Sequence, residues 1–294
     1  MDLHLLVVPY DSGHRGARMG AGPERLLASG LESALAALGQ RVRLTRIELP
    51  SDAWSSEIGT TFELIRRVAA AIAADDGDLP IILAGNCITS LGALASYPSF
   101  RTGIVWFDAH GDFNTPDTTT SGFLDGTALS TITGGSWRRL ALTVPGFRPL
   151  PEESVCVVGA RDLDPVEKRA LRGSGITLVA ATEIGSAMQH ALESIAGHAD
   201  RVHVHIDLDV LDAGTARANT YAVGGGVTVD QMETALSMIG RALPIAGITL
   251  SAYDPAADTD GNAAMAAIRL LTAAVRAAQR AESPTGLSTS LDNT

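Results

Sequence analysis

Two stretches decide how this chain reads: Asp108-Ala109-His110-Gly111-Asp112-Phe113-Asn114 and, far downstream, His205-Ile206-Asp207-Leu208-Asp209-Val210-Leu211-Asp212. Each follows an apolar, β-prone run, Thr102–Phe107 and Val202–Ile206. Their carboxylates therefore emerge at strand ends, where open α/β sheets place their active sites. Strand alternation predicts Asp207 and Asp209 on one side, and likewise Asp108, His110 and Asp112 if that segment stays extended. Four carboxylates with one imidazole suit hard or borderline divalent ions such as Mn²⁺ better than a structural zinc. Left without cations, so many buried like charges would be prohibitive. The residues point to a two-metal hydrolytic centre.

Outward from these motifs, strand-like runs recur at Leu3–Val8, Arg43–Leu49, Leu79–Ala84, Ser154–Val158, Ile176–Ala180 and Ile245–Ser251. Helical patterns lie at Pro23–Leu38, Thr61–Ala74, Pro165–Arg172, Ile184–Ala196, Val229–Gly240 and Ala263–Ala281. Alternation of the two predicts an α/β fold with a mainly parallel sheet covered on both faces. Loops are long at Gly111–Thr120 and Val210–Thr228, which marks them as functional. With no repeat or linker, residues 1–282 read as one catalytic domain and 283–294 as a polar tail.

Composition narrows the class. At 294 residues and 46% apolar, the chain can bury a sizeable core. A net charge of −11 leaves no basic stripe for nucleic acid. Met1-Asp2 lacks the basic start of a signal peptide, and Arg269 and Arg276 interrupt the alanine-rich helix, so no membrane span is expected. Two cysteines, Cys87 and Cys156, make no disulfide framework, and the chain reads as cytoplasmic.

The motifs together resemble the arginase–agmatinase ureohydrolase family over about residues 9–255. Asp108-Ala109-His110-Gly111-Asp112 matches its D-A-H-x-D, and Asp207-Leu208-Asp209 with Asp212 matches its S-x-D-x-D-x-x-D-P, His205 replacing the serine and Ala213 the proline. The resemblance implies a three-layer αβα fold around an eight-stranded parallel sheet, and a pair of Mn²⁺ ions. It assigns Asp108 and Asp207 as bridging ligands, Asp112 to the first ion, and His110 with Asp209 to the second. The family's remaining ligand is the histidine of G-G-D-H. Here the segment is Ala84-Gly85-Asn86-Cys87, placing a thiol in that slot.

On the substrate side the resemblance assigns Asn114 and Ser121 to the α-carboxylate of an amino acid, and Asp164 with Glu167 to its α-amino group. Two departures stand out. S-G-N-L-H-G appears as Ser121-Gly122-Phe123-Leu124-Asp125-Gly126, so Asp125 replaces a proton-shuttling histidine. E-V-N-P, whose glutamate pairs with the guanidinium, appears as Ala252-Tyr253-Asp254-Pro255. Losing a buried charge partner costs roughly 3–5 kcal/mol, so arginine is expected to be a poor substrate. A less basic Nω-hydroxyguanidine fits better, its hydroxyl facing Asp125. Cys87 in the histidine ligand slot and the absent shuttle histidine are similar to the Nω-hydroxy-L-arginine hydrolases of D-cycloserine biosynthesis. Hydroxide held between the ions would attack the guanidine carbon, Asp112 taking its proton, to give ornithine and hydroxyurea.

Plainer roles compete at each position. Cys87 alone is most often a small buried hydrophobe, Asp125 can cap a turn, and Asp164-Pro165-Val166-Glu167 reads as a helix start. His203 and His205 share the ligand face but read as packed or supporting residues rather than ligands. The alternatives in function are an arginase or other guanidino-acid ureohydrolase, and an inactive metal-binding relative. The short polar tail leans towards a monomer.

Overall fold

The computed structural model describes residues 1–50, 56–75, 77–97 and 101–282; the polar tail expected at 283–294 lies outside them. Eight strands form one sheet: β1 Leu3–Val8, β2 Val42–Arg46, β3 Leu79–Ala84, β4 Thr102–Phe107, β5 Val155–Val158, β6 Thr177–Val179, β7 Arg201–Asp207 and β8 Ile245–Ser251. Their order is β2-β1-β3-β8-β7-β4-β5-β6, and every adjacent pair is parallel. The α/β fold expected from the sequence is the one observed. β1, β3 and β4 are buried at every residue, because both sheet faces are covered. That is why they read as unbroken apolar runs rather than alternating ones.

One face packs on α1 Gly22–Ala28, α2 Leu31–Ala36, α8 Ser186–His198, α9 Val229–Ala242 and α10 Asn262–Glu282, through Leu26, Leu35, Met188, Met232 and Leu270. The other packs on α3 Glu57–Ala73, α4 Ser90–Ala95, α5 Ala128–Ile132, α6 Arg138–Ala141 and α7 Pro165–Gly173, with Phe62, Leu91, Leu129, Ala141 and Leu171 in one cluster with Trp106. The single helix expected over Pro23–Leu38 is two. Gly30, at φ 95°, sits in a left-handed conformation that breaks it. A small hairpin, Tyr10–Asp11 with His14–Arg15, was not anticipated; it is too short to show a pattern. Among the described residues no helix is long and apolar enough to cross a membrane.

This topology positions the chemistry. The chain places β2 at the edge beside β1 and β3 on the inner side of β1, then crosses to β4 and builds towards the other edge, and β7 and β8 later fill the gap. The ends of β3, β8, β7 and β4 are thus neighbours, carrying Cys87, Ala252, Asp207 and Asp108 to a single switch-point crevice.

Gly85 links β3 to Cys87 through a contact with no room for a side chain: a Cβ there would lie 2.2 Å from the Tyr10 carbonyl oxygen and 2.8 Å from the Gly20 nitrogen. Gly85→Ala is expected to cost about 1–3 kcal/mol by overpacking, read as a lower urea midpoint at unchanged m-value.

Candidate metal centre and substrate cavity

β4 ends at Phe107, and the next residues leave the strand. Asp108 keeps the strand's bearing, held by the Trp106 indole N–H at 3.0 Å and by the His110 backbone N–H at 2.7 Å. Asp112 does not follow by alternation. It has a left-handed φ of 50°, and its carbonyl accepts from Leu129 and Ser130 at the start of α5. The segment therefore curls, and the extended arrangement considered for Asp108, His110 and Asp112 is not adopted. Nor does alternation place Asp209. Asp207 ends β7, and Leu208–Val210 form a 3₁₀ turn in which the Asp207 carboxylate accepts from the Asp209 N–H at 2.8 Å. The two carboxylates converge through that turn rather than through a shared strand face.

The six positions assigned to metal meet in one place. Cys87 Sγ is 3.0 Å from an Asp207 oxygen and 3.1 Å from Ser251 Oγ. The His110 ring is 3.2 Å from Asp108 and 3.5 Å from Asp209. One ligand atom each from Asp108, His110 and Asp209 falls within a 4.8 Å cluster, as does one each from Cys87, Asp108 and His205. Asp207 and Asp112 border both groups along the cavity.

The electrostatics ask for cations. Burial, then its carboxylate neighbours, pushes Asp112 well above the usual carboxylate range, and the same causes raise Asp207 and Asp209. Burial pushes the Cys87 thiol up as well, with Asp207 adding to it. Burial alone would lower the His110 imidazole, but Asp108 and Asp209 outweigh it and hold it near 9. Buried Asp112 Oδ2 and His205 Nε2 have no hydrogen-bond partner. Orphaned acceptors among crowded carboxylates and a thiol are the donor set of a divalent-ion site. The residues present fit a pair of metal ions.

Asp125 lies in the cavity wall, and both its oxygens are engaged. Oδ2 accepts from the Cys87 N–H at 2.8 Å and the Asn86 amide at 3.1 Å, and Oδ1 from the Ile88 N–H at 2.9 Å. It fastens the loop carrying Cys87. The substitutions Asn86, Cys87 and Asp125 are therefore one contact group, which separate motif positions do not reveal.

The cavity has a volume of about 1060 Å³, with Cys87, His110, Asp112, Asp207 and Asp209 at its floor. Asn114, Ser121, Asp164 and Glu167 line it too. Asn114 donates to Asp164 at 3.2 Å, and Thr120 also reaches that carboxylate. Asp164 makes no side-chain cap to α7 although it stands at the N-cap. Its carboxylate faces the cavity group instead, which separates it from a plain helix start. Glu167 is buried and accepts from the Phe113 N–H at 2.9 Å. Ser121 is exposed on a loop that folds on itself through Thr119 and Phe123.

Two supporting residues escaped sequence reading. Fully buried Asn219 donates to Asp209 at 3.1 Å and to the Ala252 carbonyl at 2.8 Å, joining the β7 and β8 ends. Arg161 donates to the carbonyls of Gly159, Asp209, Val210, Leu211, Val223 and Gly224, closing the long loop after β7. Neither has a local motif. The only signal was the length of the loop they brace.

Comparison with known proteins supplies a family. The model of the Arginase family matches residues 1–276. An arginase of Bacillus caldovelox is 27% identical over 289 residues, covering 92% of this chain and 96% of its own. Its native structure superimposes with a TM-score of 0.84 at 25% identity, covering 93% and 97% of the two chains. A formimidoylglutamase from Bacillus subtilis shares the fold at a TM-score of 0.74 and 20% identity.

A carboxylate raised by burial destabilises the folded state above its unfolded pKa and ceases to do so once both states are protonated. Metal-free protein should therefore gain stability from Asp207→Asn at pH 8, with the gain shrinking as pH falls towards 4. Thermal melts of both proteins in chelator across that range test this. A gain independent of pH would contradict it.

Proposed function

This chain belongs to the arginase family, and from that premise we propose that it is an amidinohydrolase converting Nω-hydroxy-L-arginine and water to L-ornithine and hydroxyurea at a binuclear manganese centre. The observation that carries the choice of substrate is Ala252. It lines the cavity beside Asp209, and Asn219 bonds both. A methyl group thus stands where the resembled motif carries the counter-charge of a guanidinium. A protonated guanidine would lack that partner; an N-hydroxyguanidine, whose hydroxyl withdraws electrons, reaches its neutral form more easily.

Asp108 and Asp207 would hold the ions together with Cys87 and Asp112 on one side and His110 and Asp209 on the other. The ions would supply an ionised water at neutral pH and stabilise charge developing on the guanidine carbon's substituents. The protein's own residues do the rest. Asp164 and Glu167 hold the α-amino group, and Asn114, itself tied to Asp164, turns with Ser121 towards the α-carboxylate. That clamp at the cavity wall fixes where the far guanidine lies relative to the floor. Asp112 Oδ2, buried and without a partner, takes the proton lost by the attacking water. It returns that proton to the departing δ-nitrogen as the C–N bond breaks. Asp125 holds Cys87 and offers its remaining Oδ1 lone pair to the N-hydroxyl.

The relatives' names favour a second reading, that of an arginase. Ornithine release from Nω-hydroxy-L-arginine and L-arginine, assayed side by side on Mn²⁺-loaded protein, separates the two. The hydroxylated substrate should have the higher kcat/KM by at least tenfold. Ala252→Glu should shift the ratio towards arginine by a further order of magnitude, consistent with about 1.4 kcal/mol of restored charge pairing. Equal turnover of both substrates by the unaltered protein would favour the arginase reading.

A further inference from the structure

His205 is fully buried, on the same side of β7 as Asp207. Its ring stacks on Trp106, with centroids 3.5 Å apart and planes 18° apart. Trp106 in turn donates its indole N–H to Asp108. His205 Nδ1 lies 2.8 Å from Ser90 Oγ at the start of α4. The imidazole is therefore fixed in plane by the stack and in rotation by Ser90. Its other nitrogen, Nε2, is buried and has no hydrogen-bond partner among the described residues.

His205 belongs to the Cys87–Asp108–His205 group, in which one ligand atom from each residue lies within 4.8 Å of the others. Nδ1 is engaged with Ser90, so Nε2 is the nitrogen with a lone pair to offer. When Nδ1–H donates to the serine oxygen, the tautomer leaves Nε2 bare, the form in which imidazole binds metal. A ring held from outside by a hydrogen bond on its second nitrogen is the usual arrangement of a metal-binding histidine. Packing alone accounts for the stack; it does not account for a polar atom without a partner beside a thiol and a carboxylate.

We propose that His205 Nε2 is a direct donor to the ion held by Cys87, and that this half of the centre takes a borderline ion such as Zn²⁺ in preference to Mn²⁺. The inference rests on the binuclear reading above and changes its ligand set. Sulfur and nitrogen donors on the Cys87 side favour the softer ion, whereas the His110–Asp209 side, richer in carboxylate, still suits Mn²⁺. The centre is then chemically unequal, one ion bound by S, N and O atoms and the other mainly by O.

The test uses the full chain, stripped of metal and reloaded with Zn²⁺ and Mn²⁺ together. Wild-type protein should retain one Zn²⁺ per chain through dialysis against a hundredfold excess of Mn²⁺, measured by elemental analysis. Anomalous diffraction at the zinc edge should place that ion about 2.0–2.1 Å from Nε2 and about 2.3 Å from Sγ. His205→Ser should bind Zn²⁺ more than about 100-fold more weakly, beyond the effect of losing an outer partner, while still loading Mn²⁺ at the other half. The diffraction measurement stands even if the variant fails to fold. Two bound ions with Nε2 out of bonding range of both, or equal Zn²⁺ retention by a folded variant, overturns the proposal alone. Failure to bind any metal removes the binuclear reading with it.

Discussion

The arrangement depends on holding several carboxylates and a thiol together in a crevice shielded from water. Left to themselves these groups repel, and burial drives Asp112, Asp207 and Asp209 towards their neutral forms. The fold counters this by aiming Asp108, Asp207 and Asp209 with donors, some two residues away and some from distant segments. Trp106 and the His110 backbone hold Asp108, Ala109 and Asn219 hold Asp209, and the Asp209 backbone holds Asp207. These donors orient the oxygens without neutralising them, so the cradle keeps a standing appetite for cations. Arg161 illustrates the separation. Its guanidinium bonds backbone carbonyls around the loop instead of the carboxylates, bracing the site without occupying it.

Where the ligands sit follows from sheet topology rather than from any single motif. A parallel strand must end at the same side of the sheet as its neighbours, so loops after β3, β4, β7 and β8 share one rim. The order β3-β8-β7-β4 makes those four loops contiguous. Residues as distant in sequence as Cys87 and Ser251 then come within 3.1 Å. The Gly85 approach to Tyr10 and Gly20 sets the height at which Cys87 enters, and Asp125 locks it there.

Strands were the most legible part of the sequence. Leu3–Val8, Leu79–Ala84, Thr102–Phe107 and Ile245–Ser251 were bounded correctly, because strands covered on both faces are apolar throughout. The acidic motifs at their ends were legible for the same reason: a charge after such a run cannot be core. Local curvature was not legible. Nothing in the letters shows that Asp112 adopts a positive φ or that Leu208–Val210 coil into a turn, since both conformations answer to partners far along the chain. Asn219 and Arg161 were hidden likewise. Asp164 was ambiguous in sequence between helix cap and site residue; its carboxylate engages Asn114 and Thr120 and leaves the helix uncapped.

Four of the departures from the resembled motifs make sense together as a redistribution of charge. Asn86 and Ala252 each stand where the motif has an acid, and Asp125 and Cys87 each stand where it has an imidazole. Over these four, with the thiol ionised on a metal, the exchange removes two negative charges and adds two; Asp254, where the motif has an asparagine, adds one more. What changes is where they lie. The charge lost at Ala252 is lost from the cavity wall, and the charges gained lie at Cys87 and at Asp125, which is bonded to the Cys87 loop, where backbone N–H groups and ions can answer them. On the proposed reading, the same shift makes the wall indifferent to a cationic guanidine and the floor more attractive to a softer ion. Substrate and metal preference would then have moved together, because one contact group of Asn86, Cys87 and Asp125 serves both.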